Sequence, residues 1–120
     1  MIDANEIGPI EARLKSSSKK LHQLAPSMGM AKQIKSYDGD RRKNLLAKYV
    51  VVHLKAGESA TASEAQARAT PAYQTELEQL AANYQDAERT IAEYDAEYAS
   101  FEAARSLLSF ARESLRNLEG

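Results

Sequence analysis

Hydrophobic residues recur at alternating steps of four and three along the C-terminal part of the chain. The series contains Tyr73, Leu77, Leu80, Tyr84, Ala87, Ile91, Tyr94, Tyr98 and Phe101. This spacing is the heptad pattern of a coiled coil. Neither Gly nor Pro occurs between residues 72 and 119. The pattern therefore predicts one very long C-terminal helix, roughly 70 Å long at about 1.5 Å per residue.

After Phe101 the apolar series shifts by one position. The same steps would now pass through Arg105 and Arg112, whereas the shifted series is wholly apolar: Phe101, Ala104, Leu108, Ala111, Leu115 and Leu118. Arg105, Arg112 and Arg116 therefore form a row beside the apolar positions. An arginine stem can cover an apolar surface while its guanidinium pairs with a carboxylate. We expect this row to contact Glu or Asp of another subunit; the alternative is that it faces phosphates.

The N-terminal part predicts two further helices. In "GPIEARLKSSSKKLHQLAP" the apolar spacing predicts a helix over 9–24, with Pro9 in its first turn and Pro26 ending it. A second helix is predicted over 29–56, with a bend or break allowed near Gly39 and a stop at Lys55 and Gly57. Its expected apolar face contains Met30, Ile34, Tyr37, Leu45, Tyr49 and Val52.

Two start signals precede the long helix. Thr61 and Glu64 match a capping box, in which each side chain covers a free backbone N–H, and predict a short helix over 62–69. Thr70 and Pro71 then match an N-cap residue followed by proline at the first helical position.

These elements predict an all-α fold: a helical hairpin with one very long C-terminal helix, coiled-coil-like and oligomeric. We divide the chain into a basic half, 1–58, and an assembly half, 59–120, within one domain. Because the N-terminal helices are expected to cover only part of the apolar seam, a homo-oligomer is predicted. Its predicted interface contains Leu77, Leu80, Tyr84, Ile91, Tyr94, Tyr98, Phe101, Arg105, Leu108, Arg112 and Leu115.

Composition argues against several classes of function. The chain has 120 residues and no Cys, which excludes disulfides and thiolate metal sites. Neither a signal peptide nor an apolar run of about 20 residues is present, so we expect a cytoplasmic protein without membrane contact. His22 and His53 have no carboxylate at ligand spacing. We therefore expect no catalytic residues, no metal and no cofactor, and a protein that is not an enzyme.

The net charge of −1 hides a strong asymmetry between the two halves. Residues 1–60 carry a net charge of +5, and residues 61–120 carry −6. The window 13–55 holds eleven Lys and Arg against two acids, including every Lys of the protein. Such asymmetry indicates either an anionic partner for the basic half or pairing of the two halves, within or between subunits.

The basic window contains the predicted nucleic-acid-binding residues: Lys32, Lys35, Arg41, Arg42, Lys43, Lys48 and Lys55. Arg41, Lys48 and Lys55 are seven residues apart and share one helix face. Tyr37 and Tyr49 lie among the cations. Cations beside aromatic rings suit single-stranded nucleic acid, because charges follow the phosphates while rings stack on bases. The alternative is that both tyrosines are core residues.

The order of parts resembles that of UvsY-type recombination mediators of bacteriophages. The resemblance rests on the basic helical half, on "SEAQARATPAYQTELEQL" at the start of the long helix, and on "FEAARSLLSFARESLR" near its end. It implies a non-enzymatic oligomer in the host-cell cytoplasm that binds single-stranded DNA. Such mediators contact the single-strand-binding protein and help load a recombinase or annealing protein. The alternative function is a coiled-coil structural, adaptor or inhibitor protein that acts by protein–protein contact.

Overall fold

The computed structural model of the chain describes residues 4–119, which are helical almost throughout. A 3-10 turn, Ala4–Glu6, precedes three α-helices: α1 (Ile7–Lys55), α2 (Ala60–Ala69) and α3 (Pro71–Glu119). No strand occurs within this described stretch. The predicted all-α hairpin with a very long C-terminal helix is therefore confirmed. The N-terminal helix is equally long, because α1 and α3 each contain 49 residues.

The two predicted N-terminal helices are in fact one. Helix α1 continues through Pro26 and Gly39, so the predicted stop after residue 24 is wrong. A proline inside a helix costs about 3 kcal/mol, partly because the carbonyl four residues earlier loses its donor. Here Pro26 and His22, which bears that carbonyl, are both exposed, so water can replace the lost bond. Burial of Met28 just beyond the proline favours continuation of the helix.

A heptad seam runs along α1. Its members are all buried or half-buried: Ile7, Ile10, Leu14, Ser17, Leu21, Leu24, Met28, Ala31, Lys35, Asp38, Arg42, Leu45 and Tyr49. The predicted apolar face of residues 29–56 was therefore partly wrong, since Met30, Tyr37 and Val52 are 65%, 53% and 61% exposed. The predicted face was built from hydrophobic residues alone. The actual seam begins at Ile7 and keeps its heptad spacing even where the residue is polar.

Helix α1 ends as its sequence predicts. Gly57 has a φ of +91°, in the left-handed region that favours glycine. Its N–H donates to the Leu54 carbonyl at 3.0 Å, and the Glu58 N–H donates to the His53 carbonyl at 3.2 Å. These two bonds form a Schellman motif. The Glu58 carboxylate lies 3.1 Å from His53 Nδ1 and closes the same turn, a carboxylate neighbour that the sequence spacing did not reveal.

Helix α2 begins earlier than predicted. The Ser59 hydroxyl accepts a hydrogen bond from the Ala62 N–H at 3.2 Å, so Ser59 is the N-cap and the predicted Thr61 capping box is wrong. Glu64 instead pairs with Arg68 one turn later, at 2.9 Å. The start of α3 is confirmed: Thr70 is extended, as a residue before proline should be, and α3 begins at Pro71.

The chain forms two compact units. The first unit joins the part of α1 up to Met28 with the part of α3 from Thr90 onward. Ile10, Leu108 and Ala111 form its buried cluster. Within this unit the two segments are antiparallel, because Glu11 pairs with Arg112 whereas Arg13, further along α1, contacts Ser100, which is earlier in α3.

The second unit, Gly29–Arg89, contains the rest of α1, all of α2 and the first part of α3. Lys35 lies over Tyr84, and Lys48 pairs with Glu76, so these segments are antiparallel too. The rings of Tyr49 and Tyr73 meet edge to face at 5.8 Å. Helix α2 buries Ser63 and Ala67, small residues one turn apart. The predicted division into a basic half, 1–58, and an assembly half, 59–120, stays a prediction.

Helix α1 of the same chain packs against the α3 seam. Leu108 is buried; Leu77, Leu80, Tyr84, Ile91, Tyr94, Phe101 and Leu115 are half-buried; Tyr98, Arg105 and Arg112 are exposed. Helix α1 equals α3 in length, but most of these seam residues keep part of their surface exposed. The homo-oligomer and its interface stay predictions.

Candidate nucleic-acid interface

Three of the seven predicted binding residues form an exposed row on α1. Arg41, Lys48 and Lys55 follow one another at seven-residue steps, and all three are exposed. Positions seven apart lie on nearly the same helix face, with a drift of about 20° per step. We call these three residues the cationic row. Arg41 and Lys48 directly precede the seam residues Arg42 and Tyr49, so the row runs along one flank of the seam.

Lys32 and Lys43 are exposed but lie on the other flank of α1. Each directly follows a seam residue, Ala31 and Arg42 respectively, whereas the row residues Arg41 and Lys48 precede seam residues. A helix turns by about 100° per residue, so residues before and after a seam position point to opposite sides. The structure therefore does not bring these two lysines together with the cationic row.

Lys35 and Arg42 occupy the seam itself and are half-buried. The Lys35 ammonium lies 5.4 Å from the ring centre of Tyr84, within cation–π distance. Arg42 Nε donates to Asp38 Oδ2 at 2.8 Å, one turn away on the same helix. Both predicted binding residues thus have partners within the chain and are less available to a ligand than Arg41 and Lys55 are.

Lys48 takes part in a small network that connects α1 with α3. Its ammonium lies 3.3 Å from Glu76 Oε1, while the Tyr49 hydroxyl donates to Glu76 Oε2 at 2.5 Å. The hydrogen bond from Tyr49, with a smaller contribution from Lys48, lowers the pKa of the Glu76 carboxyl. The same hydrogen bond raises the pKa of Tyr49. At neutral pH Glu76 is therefore ionised and already engaged by two donors.

Most of the basic window is not neutralised within the chain. Among residues 4–119, only Arg42 and Lys48 of its eleven Lys and Arg pair with carboxylates. Of these two, only Lys48 reaches a carboxylate of the acidic half. Within one chain, the acidic half therefore neutralises the basic window at a single ion pair, Lys48 with Glu76. Arg41 and Lys55 keep their charge exposed, which gives this flank a positive potential.

The two tyrosines of the basic window have different surroundings. Tyr49 is half-buried and packs against Tyr73, as expected of a core residue. Tyr37 is 53% exposed and lies one turn before Arg41. Each alternative therefore applies to one ring. Tyr49 is a core residue, whereas Tyr37 presents an aromatic surface beside the cationic row.

A groove of about 440 Å³ lies beside the row, within the unit Gly29–Arg89. We call it the row groove. It is lined by Arg41, Asn44, Leu45, Lys48, Glu76, Gln79 and Leu80. Sequence reasoning missed Asn44, Glu76 and Gln79 as site residues. Asn44 was within reach of a sequence argument, since it lies three residues after Arg41 and four before Lys48, whereas the α3 members depend on how the helices pair.

The C-terminal arginine row has partners in its own chain. Arg112 lies 3.3 Å from Glu11 on α1, and Arg105 lies 3.5 Å from Glu102 on α3. Arg112 thus has a carboxylate partner within its own chain, and the contact of this row with another subunit stays a prediction. Arg116 is exposed. A depression of about 870 Å³ follows these arginines along α3.

The described residues contain no cluster of three or more His, Cys, Asp or Glu that could hold a metal ion. In the same part of the chain, no helix has the length and apolar character to cross a membrane. Comparisons with protein-family models, curated proteins and solved structures give no match for this chain.

Proposed function

We propose that this protein is a non-enzymatic single-stranded-DNA-binding accessory protein that acts as a recombination mediator. The observation that carries the proposal is the exposed cationic row, in which Arg41 and Lys55 have no carboxylate partner among residues 4–119. Cations held at regular steps on a long helix can follow the phosphates of a strand and release its counterions. Tyr37, exposed beside the row, provides a ring on which a base can stack.

Fluorescence anisotropy with a labelled single-stranded oligonucleotide at low salt tests the binding. The key variant is Arg41→Ala/Lys48→Ala/Lys55→Ala, and the matched control is Lys15→Ala/Lys19→Ala/Lys43→Ala. The control removes the same number of exposed charges from other faces of α1. We expect about tenfold weaker binding for the row variant and a much smaller loss for the control. No binding by the unmodified protein at low salt would end the proposal.

The mediator role, which comes from the resemblance, needs its own assay. A mediator should speed the loading of a recombinase or annealing protein onto a strand already covered by single-strand-binding protein. The rate of loading is measured with and without the present protein. The row variant should lose the acceleration if strand binding is required for it.

A second candidate function is that of an adaptor that binds another protein. The observation that favours it is the exposure of Val51, Val52 and Leu54 by 43%, 61% and 44% near the end of α1. Exposed apolar residues that cluster in this way are typical of protein contact sites. Light scattering discriminates between the candidates and also tests the predicted homo-oligomer. In an assembly held by charge, the row variant would have a lower mass than the unmodified protein, whereas contacts through Val51, Val52 and Leu54 would leave its mass unchanged.

A further inference from the structure

The row groove combines three chemical features within one unit. Arg41 brings a cation, Asn44 and Gln79 bring amide groups, and Leu45 and Leu80 bring half-buried apolar side chains. Its volume of about 440 Å³ is within the range of small-ligand sites. Phosphate binding alone requires only exposed charge and explains neither the amides nor the apolar surface.

The acidic member of the groove does not cancel its positive charge. Both oxygens of the Glu76 carboxylate are engaged, one by Lys48 and the other by the Tyr49 hydroxyl. Arg41 has no carboxylate partner among the described residues, so the groove retains one uncompensated cation. An anionic group is therefore favoured at the Arg41 end of the groove.

The two amides have hydrogen-bonding capacity to spare. Gln79 uses one N–H to donate to Asn83 Oδ1 at 2.9 Å, which leaves its carbonyl and its second N–H. Asn44 forms no side-chain hydrogen bond within residues 4–119 and is exposed. An amide offers both donors and acceptors, as do the edges of nucleobases. Between the two amides, Leu45 and Leu80 offer an apolar surface for the face of a planar ring.

Resting on the proposed single-strand binding, we infer that the row groove seats one nucleotide of the bound strand. The phosphate lies at Arg41, the base lies over Leu45 and Leu80, and the amides of Asn44 and Gln79 face the base edge. Because a base in a duplex has its edge and both faces occupied, only an unpaired base can enter. The groove thereby gives the cationic row a preference for single strands.

Two oligonucleotides of equal length and charge test this assignment: oligothymidylate and a fully abasic strand. The proteins are the unmodified chain, Asn44→Ala/Gln79→Ala, and the control Gln23→Ala/Gln85→Ala, which removes exposed amides outside the groove. Affinities are measured by anisotropy, and circular dichroism verifies helicity. All four substituted positions are exposed, so the fold should survive.

We expect the unmodified protein and the control to bind oligothymidylate about tenfold more tightly than the abasic strand. The groove variant should lose most of this preference, because the amides that face the base edge are gone, and its affinity for the abasic strand should be unchanged. Equal binding of both strands by the unmodified protein would overturn the nucleotide site and leave the cationic row intact. A preference that is undiminished in the groove variant would overturn it too. Failure to bind either strand would instead overturn the proposed function.

Discussion

The two units of the molecule use the same helix pair in different ways. In the unit formed by residues up to Met28 and from Thr90 onward, the buried cluster is aliphatic, with Ile10 and Leu108 at its centre. In the unit Gly29–Arg89, the α1 seam passes through Lys35, Asp38 and Arg42. The same unit carries the cationic row, the row groove and the exposed ring of Tyr37.

This difference separates stability from binding. An aliphatic seam stabilises the fold by removing apolar surface from water. This stabilisation is non-directional and needs no specific partner group. A seam with half-buried charges gains less, because each charge must be desolvated and held by a specific partner. The unit with the weaker seam is the one that carries the cationic row and the row groove. We therefore expect the first unit to provide stability and the second to provide the ligand contacts.

The largest expected effect is a loss of stability in the aliphatic unit. Leu108→Ala removes a buried side chain that packs against Ile10 and Ala111, and should cost about 3 kcal/mol of unfolding free energy. The control, Leu107→Ala, changes the neighbouring residue, which is exposed, and should cost less than about 1 kcal/mol. Urea denaturation followed by circular dichroism measures both. Equal losses would remove the stabilising role assigned to this cluster.

A smaller effect is expected in the seam of the second unit, where a double substitution should stabilise the fold. Arg42→Leu alone leaves the half-buried Asp38 carboxylate without its partner and should cost about 1 kcal/mol or more. Asp38→Leu/Arg42→Leu replaces both charges with apolar groups and should raise stability by about 1 kcal/mol. Urea denaturation midpoints of the two variants and of the unmodified protein measure these changes in stability. A double variant less stable than the single one would show that the polar seam is favourable in itself.

The smallest effect concerns pH. Because the folded pKa of Glu76 is lowered, chiefly by the Tyr49 hydroxyl, its contribution is present above the ordinary value of 4.5 and is lost as the pH falls below it. Tyr49→Phe should therefore lower the Tm at pH 7 and have a progressively smaller effect towards pH 3. The control is Tyr98→Phe, at an exposed ring of the other unit. A Tm difference for Tyr49→Phe that does not vary with pH would contradict the pairing.

Sequence reasoning succeeded where the local signals and the packing agree. Helix α3 was predicted because its heptad series meets neither Gly nor Pro, and its start at Thr70 and Pro71 follows from backbone chemistry. Helix α1 was divided in two because Pro26 is a strong local stop. Packing on either side of the proline, at Leu24 and Met28, overrides that local signal.

The candidate site was predictable only in part, for a related reason. The seven-residue spacing placed Arg41, Lys48 and Lys55 on one face without reference to any other helix. Lys35 and Arg42 lie in the seam and not on that face. The sequence hides this, because these seam positions are charged and not apolar. Glu76 and Gln79 enter the site through the antiparallel register of two helices, a property that no local pattern specifies.

The salt dependence of strand binding tests the central claim that the cationic row neutralises phosphates. The affinity for a single-stranded oligonucleotide is measured at several salt concentrations for the unmodified protein and for Arg41→Ala/Lys48→Ala/Lys55→Ala. Each lost phosphate contact should reduce the slope of log affinity against log salt by about 0.7. We expect a slope shallower by about 1.4 for the variant, because Arg41 and Lys55 are free to contact phosphates whereas Lys48 is paired with Glu76. Identical slopes for the two proteins would contradict this claim.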